Sequence, residues 1–129
     1  MSAQRETLEQ QRARRAWEII QRRRGERDFS KYRNLAKSAP ALVAGNGLLP
    51  TMLFYRQKGK AQHNWLLEDL RDWLHARKIL ENFPVADTEA YKKALVDASP
   101  GAYRLATDEA LQLLRWIRQF ASAVPSARE

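Results

Sequence analysis

Apolar side chains recur every three to four residues along most of this chain, the spacing of one face of an α-helix. The clearest runs cover Thr7 to about Arg24 and about Asn64 to Leu80. In both runs charged and amide side chains occupy the opposite half of the helical wheel. No segment has the alternating β-branched pattern that is typical of a strand. The pattern therefore predicts an all-α protein, a single compact bundle of five to six helices.

Two further helices are predicted to meet at the turn Gly45–Gly47, because glycine reaches the left-handed backbone region that ends many helices. Pro40 lies inside the first of these two helices, where it removes one backbone hydrogen bond, so we expect a kink there rather than a loop. The next helix is apolar around its whole circumference, which predicts that other helices enclose it in the middle of the bundle. Its apolar side chains are Leu49, Met52, Leu53, Phe54 and Tyr55.

The C-terminal part of the chain predicts two more helices. A short fifth helix, Glu89 to about Ala98, precedes a turn at Ser99–Gly101, which could start a helical turn through Tyr103. Thr107 has the hydroxyl of an N-cap residue, and Asp108 and Glu109 follow it. Carboxylates favour the first turn of a helix through its dipole. The last helix is therefore expected to begin at Thr107.

The length of 129 residues indicates one domain, with residues 1–6 and 125–129 expected to fray. The absence of Cys fits a reducing compartment and removes disulfides and thiolate metal sites. No apolar run is long enough to span a bilayer, and charges interrupt the N-terminus where a signal peptide would need an apolar core. These features predict a cytoplasmic protein without a membrane partner.

The net charge of +8 and the isoelectric point near 10.2 add the first indication of function. A surface of this charge attracts polyanions, of which nucleic acid is the commonest. The simpler interpretation, a soluble protein with an excess of arginine, remains open on charge alone.

Catalytic chemistry has little support in the sequence. His63 and His75 stand outside any HExxH or Cys/His spacing, so no metal site is expected. There is no phosphate-binding GxxxxGK[ST] loop and no motif that pairs a serine with a histidine. The carboxylates stand mostly beside Arg or Lys on predicted outer faces, and the predicted interior is apolar. We expect neither an enzyme nor a cofactor.

Base-specific DNA reading by a helix-turn-helix is also not expected. The helix that would enter the groove presents Met52, Leu53, Phe54 and Tyr55, which cannot read base edges. Contact with the phosphate backbone remains, because Arg and Lys at helix ends can bind phosphates without reading sequence. The candidate cations are Arg22, Arg23, Arg24, Arg56, Lys58, Lys60, Arg115 and Arg118.

The order of motifs resembles the small α-helical subunit of the type III-B CRISPR effector complex, the fifth of the Cmr proteins. The resemblance covers nearly the whole chain, and no single piece of it is diagnostic. Gln119 departs from the family, which usually has a second basic residue at that place. The matched pieces are the Arg-rich helix around Ala13 and Trp17, then Tyr32, Pro40–Val43, Asn46–Leu48, Phe54–Tyr55, Lys58–Gly59, Trp73–Leu74, Tyr103–Arg104, Thr107, Glu109–Leu111 and Trp116–Ala121.

The resemblance implies a non-catalytic role in antiviral defence. Subunits of this kind stack as copies of one another into an inner filament that lies against the duplex of guide and target RNA. A filament of larger backbone subunits, which cut RNA, lies opposite. Lys58 and Arg118 fall inside matched motifs and are the expected contacts to the RNA backbone.

Two other interpretations stay open at this point. The chain fits a basic helical adaptor that binds an acidic protein partner and has no nucleic-acid role. Nonspecific binding to duplex DNA is the third interpretation.

Overall fold

The computed structural model describes residues 5–127, and those residues form six α-helices and no strand, which confirms the all-α prediction. Of the predicted frayed ends, residues 1–6 and 125–129, the structure describes residues 5–6 and 125–127, and the others lie outside the described range. The helices are α1 (Leu8–Arg23), α2 (Phe29–Asn46), α3 (Leu48–Lys58), α4 (Ala61–Ala76), α5 (Thr88–Tyr91) and α6 (Pro100–Ala123), and a π-helical turn (Lys92–Val96) follows α5.

The longest helix, α6, is the axis of the bundle. It packs along α1 and α2, while α4 packs against α2 and α3. Its inward face is apolar except for one carboxylate, Glu109. The other buried side chains of α6 are Ala106, Ala110, Leu113, Leu114, Ile117 and Ala121.

The prediction that α3 is enclosed on all sides is wrong. Leu48, Met52 and Tyr55 are buried, but Phe54 is 44% exposed. Helix α3 packs mainly against α2 and α4 and has only minor contact with α6, so it lies at the side of the bundle. Its all-round apolar pattern therefore leaves a large aromatic side chain facing solvent.

Helix α6 begins at Pro100, seven residues before the predicted start at Thr107. The Ser99 hydroxyl accepts a hydrogen bond from the Ala102 amide at 3.2 Å, and Pro100 occupies the first turn, where its missing N–H costs nothing. Thr107 lies inside the helix and its hydroxyl donates to the Tyr103 carbonyl at 3.0 Å. A helical threonine readily makes that bond to the preceding turn, which is why its hydroxyl misled the prediction.

The other boundaries follow local backbone chemistry. Helix α2 continues through Pro40, so no loop interrupts it, and the positive φ of 97° at Gly47 makes the sharp turn into α3. The Tyr103 hydroxyl accepts from the Leu49 amide at 2.9 Å and so satisfies one of the free N–H groups at the start of α3. Helix α4 ends four residues before the predicted Leu80, because Lys78 takes a left-handed φ of 58°.

Candidate nucleic-acid interface

The end of α1 is tied to α4 through a buried carboxylate, Asp69, which is 1% exposed. Arg23 donates to both carboxylate oxygens of Asp69, at 2.8 and 3.3 Å, and the Tyr32 hydroxyl donates at 2.8 Å. Burial, together with the charge of Asp69, raises the pKa of Tyr32 well above its ordinary value, so the phenol remains a donor. The Arg23 guanidinium also lies 5.4 Å from the centre of the Trp65 ring.

The three arginines at this end of α1 therefore differ in what they offer to solvent. Arg23 is only 8% exposed, and its guanidinium is used inside the fold. Arg22 donates to Asp69 at 3.1 Å, but 57% of its side chain is exposed. Arg24 is partly buried, and its backbone carbonyl accepts from the Ala127 amide at 2.9 Å. Of this predicted cluster, Arg22 is the cation best placed to reach a phosphate.

The junction of α3 and α4 presents a second group of cations. Lys58 and Lys60 are exposed on either side of Gly59, which ends α3 with a left-handed φ of 64°. No ion pair to either lysine is found within residues 5–127. Burial lowers the pKa of the nearby His63, and the positive charges of Lys58 and Lys60 lower it further. Arg56 is less available for a ligand than the two lysines, because its Nε donates a hydrogen bond to the Ala86 carbonyl at 3.1 Å.

The surrounding sequence adds no compensating charge at this junction. From Phe29 to Leu67 the chain contains six Lys and Arg residues and no Asp or Glu, so all fifteen carboxylates lie outside that segment. The segment includes α2, α3 and the first turns of α4. Its positive field is therefore not cancelled by carboxylates of its own.

Arg115 and Arg118 form a third group, on the outer side of α6. Both are exposed and line an open depression of about 420 Å³ with Gln119 and Ser122. The structure thus places the predicted cations in three groups on different elements. The groups at the end of α1 and at the α3–α4 junction both lie beside α4, where Arg56 shares a depression with Asn64 and Glu68.

A second buried carboxylate, Glu109, links α1, α4 and α6 and is 2% exposed. Arg12 donates to it twice, at 2.7 and 2.9 Å, and the Trp73 indole N–H donates at 3.0 Å. Burial alone would raise the pKa of Glu109, but the hydrogen bonds from Arg12 and Trp73 and the charges of Arg12 and Arg77 outweigh it, so the pKa is lowered.

The prediction that the carboxylates lie on outer faces around an apolar interior is therefore wrong at Asp69 and Glu109. Their oxygens accept bonds from arginine and from tyrosine or tryptophan, an arrangement that braces the helices against one another. Within the described residues no group of three or more His, Asp or Glu side chains is placed to hold a metal ion. None of the helices in that part of the chain is long and apolar enough to cross a membrane.

These features define a small basic helical bundle with three outward groups of cations. Residues 8–124 match the family model described as CRISPR-associated protein (Cas_Cmr5). The chain therefore belongs to the Cmr5 family, which confirms the resemblance and makes the protein a type III-B CRISPR-associated subunit.

A solved structure supports the same assignment. The chain is similar to a CRISPR-associated Cmr5 family protein from Thermus thermophilus, with 27% sequence identity and a TM-score of 0.74. The match covers 92% of this chain and 97% of the Thermus protein. Among curated proteins, no match was found.

Sequence reasoning missed two features of this surface. The prediction treated Arg22, Arg23 and Arg24 as equivalent. The difference between them was missed because Arg23 points inward to a carboxylate, Asp69, that lies 46 residues away in the sequence. The prediction also counted Phe54 as core, since the all-round apolar pattern of α3 cannot say which side faces solvent. The lack of carboxylates from Phe29 to Leu67 is the sequence signal that singles out the α3–α4 junction.

Proposed function

We propose that this protein is a non-catalytic small subunit of a type III-B CRISPR ribonucleoprotein, and that it stabilises guide and target RNA through contacts to the phosphate backbone. Copies of the chain would stack as an inner filament against the RNA, next to the larger backbone subunit, in a cytoplasmic antiviral complex. The guide strand would read the target by base pairing, so this subunit needs no base-specific contact.

The observation that carries this proposal is the exposure of Lys58 and Lys60 in a segment without carboxylates. An ammonium group without a protein counterion can neutralise a phosphate and release its condensed counterion. Arg118 and Arg115 offer the same chemistry on α6. Arg22 offers a weaker contact at the end of α1, because its exposed guanidinium already pairs with Asp69 at 3.1 Å. Arg23 and Arg56 are held by bonds inside the fold and support these sites rather than form them.

The test is the salt dependence of target-RNA binding by the assembled complex. Replacing Lys58→Ala and Arg118→Ala together should flatten the slope of log affinity against log salt by about one for each phosphate contact that the substitutions remove. The matched control is Lys92→Ala with Lys93→Ala, which removes two exposed charges from a region that contains Glu81, Asp87 and Asp97. The control should keep the wild-type slope.

An unchanged slope in the Lys58 and Arg118 variant would reject these two residues as phosphate contacts. Retained assembly with an unchanged slope would instead favour the adaptor interpretation, in which the positive surface meets an acidic protein.

A further inference from the structure

An open groove of about 470 Å³ lies between α2 and α3. Leu42 and Asn46 of α2 line one side, and Pro50, Thr51 and Phe54 of α3 line the other. Phe54 is the largest of these side chains and is 44% exposed. The exposed ring and the apolar groove beside it together form a continuous apolar surface, and such surfaces are candidate binding sites.

A cation lies directly against this ring. The Lys58 ammonium is 5.3 Å from the centre of the Phe54 ring, within the range of a cation–π contact. Lys60 is exposed two residues further along, and the whole segment from Phe29 to Leu67 lacks carboxylates. An exposed ring next to exposed cations is the combination that sites for single-stranded nucleic acid use, since bases stack on the ring and cations hold the backbone.

The size of the groove favours a flat ring over a protein helix. On α3 the lining extends from Pro50 to Phe54, a rise of about 6 Å. An amphipathic helix that docks in a groove uses anchors from i to i+7, which span about 10 Å. The volume lies in the lower part of the range for small-molecule sites. Asn46, exposed at the edge, offers both a donor and an acceptor to the rim of a base.

We propose that this groove binds the base of an unpaired RNA nucleotide, with Phe54 stacking on the base and Lys58 and Lys60 contacting the neighbouring phosphates. The inference rests on the proposed function and adds a stacking contact to it. Recognition is of any base rather than a chosen one, because every base has a flat π-face.

The test uses the full chain and a short fluorescently labelled single-stranded RNA of mixed sequence. Phe54→Leu keeps the apolar bulk and removes the aromatic face, so it should weaken binding about fivefold or more. It removes no charge, so the salt slope should stay the same. Phe54→Trp should retain the affinity. The matched control is Trp17→Leu, since Trp17 is equally exposed at 44% but packs against Phe120 on another face.

A second probe isolates the stacking contact from charge and folding. On an RNA of the same length whose riboses carry no bases, the wild-type chain and Phe54→Leu should bind equally. Urea unfolding of Phe54→Leu should match the wild type, because the ring is half in solvent. Equal binding of mixed-sequence RNA by the two chains, or an equal reduction on both RNAs, would overturn the inference.

The outcomes separate this inference from the proposed function. If Phe54→Leu has no effect while Lys58→Ala flattens the salt slope, the groove is not a base site and the phosphate role stands. If the wild-type chain binds no RNA, the base site is rejected for the chain, and the salt titration of the assembled complex still decides the phosphate role. If Phe54→Leu weakens assembly with a larger subunit and leaves RNA affinity unchanged, the groove is a protein-docking site instead.

Discussion

The C-terminal ends of α1 and α3 each carry cations beside a glycine, Arg22–Gly25 in one case and Lys58–Lys60 in the other. At the end of α1 a buried carboxylate, Asp69, takes hydrogen bonds from two of the arginines. At the end of α3 the two lysines are exposed, and the chain supplies no carboxylate from Phe29 to Leu67. The comparison teaches that two basic runs of similar sequence can differ in whether the fold supplies them with a counterion, and that the run without one is the better candidate for a phosphate contact.

The largest expected effect is on the α1 side of this comparison. Asp69→Asn keeps the shape of the side chain but leaves the buried Arg23 with only its longer ion pair to Glu68, at 3.5 Å, so the free energy of unfolding should fall by about 3 kcal/mol. Urea unfolding followed by far-UV circular dichroism measures this decrease. The control is Asp108→Asn, which makes the same change at an exposed position of α6 and should change the stability by less than about 0.5 kcal/mol. A decrease as small as that of the control would contradict the bracing role of Asp69.

The next prediction compares the stability effects of removing one cation from each helix end. Arg23→Ala should lower the free energy of unfolding by about 2 kcal/mol, since Asp69 keeps bonds from Arg22 and Tyr32 but no longer has the guanidinium of Arg23 beside it. Lys58→Ala should change it by less than about 0.5 kcal/mol, because this exposed ammonium lies against the half-exposed Phe54 ring and is not buried. If urea unfolding shows equal decreases in the free energy of unfolding for the two variants, the distinction between the two helix ends is contradicted.

The sequence predicted the fold well where periodicity was strong. The two amphipathic runs correspond to α1 and α4 in the structure. The Thr7 hydroxyl caps α1 and accepts a hydrogen bond from the Gln10 amide at 3.1 Å. The side of α3 that faces solvent was missed, because its apolar residues surround the axis and only tertiary packing selects one face. The buried carboxylates were missed for a similar reason, since Asp69 and Glu109 find their arginines on other helices.

The candidate site was only partly accessible from the sequence. The residue types were enough to identify cations at helix ends, and Lys58 and Arg118 are exposed as a phosphate contact requires. The contrast between Arg22 and Arg23 could not be predicted, because neighbours on one helix point in directions about 100° apart. Which of them meets Asp69 most closely depends on how α1 docks on α4.

The smallest effect is the pH dependence that the other buried carboxylate, Glu109, contributes to stability. The pKa of Glu109 is lowered in the folded chain, so its contribution to stability is fully present above its ordinary value of 4.5 and is lost as the pH falls through the lower folded pKa. Thermal unfolding between neutral pH and acid should show this loss in the wild type. Glu109→Gln should be less stable at neutral pH and should lose less on acidification. An identical acid dependence in the two chains would show that Glu109 is not the group that titrates.

The most direct test of the central claim compares two double variants of equal charge in RNA binding by the assembled complex. Lys58→Ala with Lys60→Ala removes the cations at the α3–α4 junction, and Lys92→Ala with Lys93→Ala removes two exposed cations near Asp97. The account predicts that the first pair flattens the log–log salt slope by about two and that the second leaves it unchanged. Equal slopes for the two variants would contradict it, since net charge rather than position would then determine binding.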